Sequence, residues 1–294
     1  MTQEAYLAVE TGGTKIVGRL TDVDGRVLTD VRLPTGRPED ALLALIGAVR
    51  DPTLSDVRVA GIGLASFGPV VVDPAAPDFG MIRETPKLGW SGFNLGRALS
   101  RALEAPVAID TDVNAAALAE QALGAGRGFD AVAYVTVGTG VGGGLALAGR
   151  ALRGGLHPEI GHIRIRRRPD DRQPSACPFH DDCVEGLAAG PALGLRLAGR
   201  SLEQAGEVRD LVVDYLGQLC AILLLAWSPQ RIVMGGGVMS VGGLIPEIET
   251  RMRTDLNGYG ALWVAQADGY LAPADLEHAG LEGALIMARR AAAG

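Results

Sequence analysis

Aromatic side chains are scarce in this chain, 4% of 294 residues, and it holds only three cysteines and four histidines. With so few rings, the core has to be built from Ala, Val, Leu and Ile. An odd, small number of cysteines speaks against a disulfide framework. Basic charge is not in excess either. The formal net charge is −7, which argues against a nucleic-acid partner and gives no reason to expect binding to an anionic membrane surface. Long apolar runs are missing as well. The stretch from Cys220 to Trp227 is too short to span a bilayer, and Asp210, Asp214 and Gln218 precede it, so it reads as a buried helix. The start, Met1-Thr2-Gln3-Glu4-Ala5, lacks a basic segment followed by an apolar one, so a cytoplasmic location is expected.

What is abundant is glycine, 42 residues, in a chain that is 48% hydrophobic and 21% charged. Those proportions describe a globular protein, and the length suggests two domains. Ala5 to Glu10 reads as a strand, Ile16 to Leu20 as a second, and Arg26 to Leu33 as a third after the Asp24-Gly25 turn. Helices are expected over Glu39 to Arg50, Asn94 to Leu103, Asp112 to Leu123, Pro191 to Arg200, Arg209 to Trp227 and Leu276 to Arg290. Further strands are expected over Val57 to Ala65, Val107 to Ile109, Ala131 to Val137, Gly144 to Leu147 and Arg231 to Met234. The segment from Arg150 to about Glu185 is poor in periodicity and reads as an insertion organised by something other than a core. Within it, Ile163 and Ile165 alternate with Arg164 and Arg166, as in a strand with one wet face.

Two glycine-rich turns stand between strands: Thr11-Gly12-Gly13-Thr14-Lys15, and Gly138-Thr139-Gly140-Val141-Gly142-Gly143-Gly144. Glycine lets backbone N–H groups approach a phosphate closely. P-loops and dinucleotide turns open a helix, so a strand-turn-strand setting excludes both. Its recurrence suggests an internal duplication. A third cluster, Gly235-Gly236-Gly237, ends a later strand.

Asp110 and Asp112 flank Thr111 ahead of an Ala-rich helix. A carboxylate there is either a helix cap or a base that takes a proton from an attacking hydroxyl. Asn94 and Asn114 read as helix-cap or solvated side chains. Cys177, His180 and Cys183 stand at three-residue intervals, with His162 and His157 upstream. Two thiolates and two imidazoles make a closed tetrahedral zinc set, which would be structural. Cys220 reads as an inert core residue and His278 as a surface residue.

The chain resembles the ROK family of the actin-like, ribonuclease-H-like ATPase superfamily. The resemblance rests on four motifs in order: Leu7 to Lys15, Asp112-Val113-Asn114-Ala115-Ala116-Ala117, Val137 to Gly144, and Glu159-Ile160-Gly161-His162. It runs from about residue 5 to residue 290 and is nearest the bacterial ROK fructokinases. With these it shares Ala65-Ser66-Phe67-Gly68-Pro69, Thr85-Pro86-Lys87-Leu88-Gly89-Trp90, His157 to His162 and Cys177 to Ala188. ROK repressors carry an additional N-terminal DNA-binding domain, which is not expected here.

The resemblance implies an α/β, two-domain actin-like ATPase fold with a zinc-stabilised insertion. The expected division is 1–110 for an N-terminal domain and 111–294 for a C-terminal one, with the insertion at about 150–185 and a cleft between the domains. It implies ATP and Mg2+ held by Gly12, Gly13, Thr14, Lys15, Thr139, Gly140, Pro191, Gly235, Gly236 and Gly237, and Asp112 as catalytic base. A hexose would meet Gly68, Asp112, Glu159, His162 and Glu185. Zn2+ would be held by His162, Cys177, His180 and Cys183, with His162 preferred to His157. Two departures stand out: Glu10 replaces an Asp usual in the family, and Thr111 replaces an Asn that holds a sugar hydroxyl. The activity implied is that of a fructokinase, with glucokinase or mannokinase activity and a non-catalytic sugar sensor as rivals. The resemblance also implies a homodimer.

Overall fold

The structure, a computed structural model, describes residues 2–294. It divides into two units. The first comprises the chain up to Ala119, Ala151–His157 and His278–Gly294; the second comprises Glu120–Arg150 and Pro158–Glu277.

In the first unit, β1 (Gln3–Thr11), β2 (Lys15–Asp22), β3 (Val27–Pro34), β4 (Val57–Ser66) and β5 (Val107–Thr111) form one sheet in the order β3-β2-β1-β4-β5. β1, β2 and β3 are antiparallel neighbours, whereas β4 runs parallel to β1 and β5. Most of β4 is buried on both its faces, as in a sheet with helices on each side. The helices of this unit are α1 (Pro38–Val49), α2 (Leu95–Leu103), the first part of α3 (Asp112–Leu123) and α8 (Ala279–Ala293). α1 opens on Pro38 and carries Glu39 and Asp40 in its first turn, where the helix dipole favours negative charge. Asn94 caps α2 by accepting the Arg97 N–H at 2.9 Å. Leu45 of α1 and Leu99 of α2 pack with Leu7, Ile16, Leu64 and Ile109 of the sheet. On the opposite face, Gly61 and Gly63 leave room for α8: a Cβ at either would run into the carbonyl oxygens of Ala288 or Ala284.

In the second sheet, β6 (Ala131–Val137), β7 (Val141–Leu147), β8 (Arg150–Ala151), β9 (Arg231–Gly235) and β10 (Leu271–Pro273) are ordered β10-β9-β6-β7-β8, and all but Ala151 of these residues belong to the second unit. β6 pairs antiparallel with β7 and parallel with β9, which is parallel to β10. Each sheet therefore follows one plan, an antiparallel hairpin joined to parallel strands, as an internal duplication predicts. Helices α4 (Val184–Ala188), α5 (Gly190–Leu197), α6 (Gly206–Trp227) and α7 (Leu244–Leu256) complete this unit. Its core packs Val135, Val137, Ile232 and Met234 of the sheet with Leu187, Tyr215, Leu219 and Met252 of the helices. α6 is long and apolar enough to cross a membrane by length and composition, yet most of it is buried in the unit.

Three expectations differ from what is observed. The units change at Ala119/Glu120, inside α3, rather than at 110/111, and α8 belongs with the first sheet. The packing of α8 on Gly61 and Gly63 accounts for that return. Residues 163–166 form no strand, only an isolated bridge from Arg164 to Cys183. Instead Asp182 binds the Arg164 guanidinium twice, at 2.7 and 2.9 Å, and Gln218 ties the Arg166 backbone to α6.

Candidate active site

The first glycine turn closes the β1–β2 hairpin. The Gly12 N–H donates to Lys15 O at 2.8 Å, and Thr35 clamps the turn from outside through Thr14 O and Gly12 O, each at 2.9 Å. Gly13, Thr14 and Lys15 are left exposed. Thr11 is fully buried beneath them, and its Oγ1 lies 3.3 Å from both Ser66 Oγ and the Phe67 N–H.

Strand register brings Asp112 to the same edge of the sheet. Thr11 pairs with Ser66 and Ser66 with Thr111, so Gly12, Phe67 and Asp112 leave three adjacent parallel strands at one level. Ligands of open α/β sheets bind at such carboxyl ends. Gly68 follows in the same turn. Thr111, rather than Asp112, caps α3: its Oγ1 accepts the Asn114 N–H at 3.1 Å. The Asp112 carboxylate accepts the adjacent Val113 N–H, at 2.9 Å.

Burial is the main force pushing the Asp112 carboxyl up, to about 7. The Val113 N–H opposes that rise, the Glu10 charge reinforces it, and Lys87 pulls the other way. A base that titrates near neutral pH is matched to deprotonating an alcohol there. Glu10 is also raised by burial, against the pull of Lys15, His278 and the Leu281 N–H. His278 is therefore a charge partner of Glu10 rather than a bystander.

Asp110 and Asn114 are fully buried. Asp110 accepts from the Thr111 N–H at 2.8 Å and from Asn114 Nδ2 at 2.7 Å, and its Oδ2 lies 3.1 Å from Arg153 Nε. Burial raises its carboxyl, and Asn114 and Arg153 oppose the rise. The solvated role read for Asn114 is thus corrected: its amide is spent on Asp110 and, at 3.4 Å, on Leu152 O. Arg153 also reaches Val72 O, and His157 accepts the Val70 N–H at 3.3 Å. These contacts attach residues 151–157 to the first unit. No sequence motif singled out Arg153; an isolated Arg in a glycine-rich segment carries no signal.

In the second unit, the other glycine turn closes β6–β7, with the Gly138 N–H donating to Gly140 O at 2.9 Å. Gly138 O accepts the Gly190 N–H at 2.7 Å, which brings the start of α5, with Pro191, onto the turn. Gly236 has φ +91°, and a Cβ there would strike the Val137 backbone. So Thr139 and Gly140, Pro191, and Gly235 to Gly237 gather around the end of β6. Glu185, in the first turn of α4, accepts the Val141 N–H at 3.0 Å. Glu159 lies exposed beside the 3-10 turn Ile160–His162.

The same unit gathers His162, Cys177, His180 and Cys183, with their ligand atoms all within 4.8 Å of one another. Cys177 Sγ lies 3.8 Å from His162 Nδ1 and 3.7 Å from His180 Nδ1, and Cys183 Sγ lies 4.0 Å from His162 Nδ1. Zinc bond lengths of 2.0–2.3 Å give a tetrahedral edge of about 3.6 Å, so this donor set fits zinc. Burial pushes the Cys183 thiol up to about 11, and neighbouring Cys177 adds to the rise. A cation among these atoms would remove that penalty. Cys220, fully buried in α6 and pushed up to about 12 by burial, is inert.

Two sheets of one plan, each with a glycine turn in its hairpin, define the class: an α/β protein built on a repeated sheet plan. Residues 6–291 match the ROK family. The chain belongs to that family. It is 38% identical to a fructokinase of Pediococcus pentosaceus over 97% of each chain. Among solved structures, a ROK hexokinase from Thermus thermophilus superposes with a TM-score of 0.78 at 33% identity, covering 97% of this chain and 98% of that one. A ROK glucokinase from Streptomyces griseus, in complex with glucose and AMPPNP, superposes at 0.72 and 25% identity, covering 97% and 99%.

Proposed function

We propose that the chain is an ATP-dependent hexose kinase, a fructokinase that converts fructose and ATP to fructose 6-phosphate and ADP. The observation that carries this reading is Asp112, a half-buried carboxylate titrating at about 7, one residue beyond a strand whose neighbours lead to the Thr11–Lys15 turn. The identity to a fructokinase along nearly the full length of both chains supports the choice of sugar.

In the reaction, the sugar hydroxyl gives its proton to Asp112 as its oxygen bonds to the γ-phosphorus. The bond from γ-phosphorus to the bridging oxygen breaks, and ADP leaves with that electron pair. Backbone N–H groups of Gly13, Thr139 and Gly140, with Thr14 and Lys15, are suited to hold phosphate oxygens, while Gly12, whose own N–H closes the hairpin, lets the turn approach them. Gly235, Gly236, Gly237 and Pro191 are assigned to the nucleoside. Mg2+, when bound, neutralises phosphate charge and needs few protein ligands. Gly68, Glu159, His162 and Glu185 are assigned to the hexose. His162, Cys177, His180 and Cys183 would hold a structural Zn2+, whose closed donor set leaves no position for substrate. The reading includes a cytoplasmic homodimer.

The second reading, a glucokinase, is supported by the Streptomyces griseus likeness, and Thr111, where many ROK kinases have an Asn that holds a sugar hydroxyl, selects neither sugar. A coupled assay of ADP release with fructose, glucose and mannose separates the two. Fructose should show the highest kcat/KM. A tenfold preference for glucose would replace the fructokinase assignment, and binding without turnover on all three would make the chain a sensor.

A further inference from the structure

Lys87 lies in the run Thr85-Pro86-Lys87-Leu88-Gly89-Trp90, to which phosphoryl transfer as described assigns no part. The local structure holds it firmly. The Trp90 N–H donates to Lys87 O at 3.2 Å, and Gly89, with φ +82°, occupies the position where a type II turn requires glycine. Trp90 itself is 1% exposed, bonds Gly36 O through Nε1 at 2.8 Å, and meets the Phe67 ring edge-on at 5.0 Å. On that same ring rests the Lys87 ammonium, with Nζ 4.1 Å from the centroid.

Phe67 leaves β4 one residue after Ser66, whose register partner is Thr111. The ammonium therefore sits at the sheet edge from which Asp112 projects, within electrostatic reach of it. The charged groups around Asp112 are few. Glu10 faces it from β1 and Lys87 from the turn. Lys15 and His278 act on Glu10, and Asp110 is occupied by Asn114 and Arg153. Lys87 is the cation among these that acts on Asp112 directly. Lys87 is half-buried and its ammonium lies against an aromatic face, so water screens the pair less than it would at an open surface.

We propose that Lys87 is a positioning residue for phosphoryl transfer, its ammonium holding Asp112 in the ionised, proton-accepting form against the charge of Glu10. This rests on the reading of Asp112 as the base. The placement of the ammonium supports the pairing independently of turnover: it lies on Phe67, one residue beyond the Ser66–Thr111 pair that precedes Asp112.

The test compares wild type, Lys87→Met and Lys87→Arg by two measurements. The first is the pH profile of kcat/KM for the hexose. The second is the 13C NMR titration of Asp112 in protein labelled at aspartate carboxyls, with the signal assigned by Asp112→Asn. Methionine keeps an unbranched side chain of similar length and removes the charge; Lys87→Gln replaces it if Lys87→Met loses its fold. Removing the cation should move both midpoints up together, with the rate well below the midpoint falling by the corresponding factor. Activity should approach wild type above both midpoints, and Lys87→Arg should keep the wild-type profile. An unmoved NMR midpoint in Lys87→Met, or an equal shift in Lys87→Arg, overturns the proposal. Absence of hexose-dependent ADP release by wild type would instead sink the base assignment, because the NMR midpoint does not depend on turnover.

Discussion

Glu185 accepts the Val141 N–H at 3.0 Å through one oxygen, while its other oxygen lies 4.0 Å from Nε2 of His162. Nδ1 of the same imidazole faces Cys177 and Cys183. One carboxylate thus joins the second glycine turn to the cysteine–histidine cluster. A carboxylate that hydrogen-bonds a metal-bound histidine orients it; at 4.0 Å Glu185 stands beside His162 without making that bond.

If the cluster holds zinc, metal and turn are coupled. Purified protein should contain about one zinc per chain. Cys177→Ser and Cys183→Ser should lose it, lower Tm, and speed amide exchange at Val141. The checks are elemental analysis and hydrogen-exchange mass spectrometry. Metal-free wild-type protein with a protected Val141 amide would contradict the coupling.

Asp112→Asn should lower kcat by about 10²–10⁴-fold, the usual contribution of a positioned base. In wild type, kcat/KM should fall as pH drops through about 7. Stability should show the opposite trend. A carboxyl raised in the folded state binds more protons folded than unfolded, so stability decreases as pH rises from its ordinary value of 3.8 to about 7. Asp112→Asn should therefore raise Tm above neutral pH and give less benefit near pH 5. Differential scanning calorimetry at both pH values decides this.

A buried ion pair holds the insertion where no apolar pattern does. Arg196 binds Asp171 at 2.7 Å with both side chains nearly inaccessible, and Tyr215 of α6 donates to the same oxygen at 2.8 Å. Burial alone would raise the Asp171 carboxyl, but the bonds from Arg196 and Tyr215 outweigh it and hold it low. Arg196→Met should cost up to about 3–5 kcal/mol, because it leaves the buried carboxylate with only the longer Arg167 contact at 3.6 Å and the Tyr215 bond, and Tyr215→Phe should cost about 1 kcal/mol. Urea unfolding measures both.

Gly63→Ala should destabilise the first unit by at least about 1–3 kcal/mol, because the added methyl meets the Ala284 carbonyl of α8 and backbone must move. Gly13→Ala, where a Cβ meets nothing within 4 Å, is the control. Equal unfolding midpoints for the two variants would contradict the packing described for α8.

The elements that show local periodicity were legible before the structure. α3 and β6 fall on their expected bounds, and the recurrence of hairpin and glycine turn follows from Thr11–Lys15 and Gly138–Gly144. Cys177, His180 and Cys183 were legible because their spacing is itself the signal, whereas the choice of His162 over His157 came from the family resemblance. Long-range pairing was not. Asn114 looks solvated until Asp110 and Leu152 are brought beside it, and Arg153 acquires a role only through tertiary contact. α7 and β10 were not marked, and α4, five residues long, is too short to show a period.

The most direct test is to incubate the protein with γ-labelled ATP, Mg2+ and fructose and to identify the labelled product. The account predicts label in fructose 6-phosphate at a rate far above that of ATP hydrolysis without sugar, and its loss in Asp112→Asn. Label released only as inorganic phosphate, or transfer undiminished in Asp112→Asn, would contradict it.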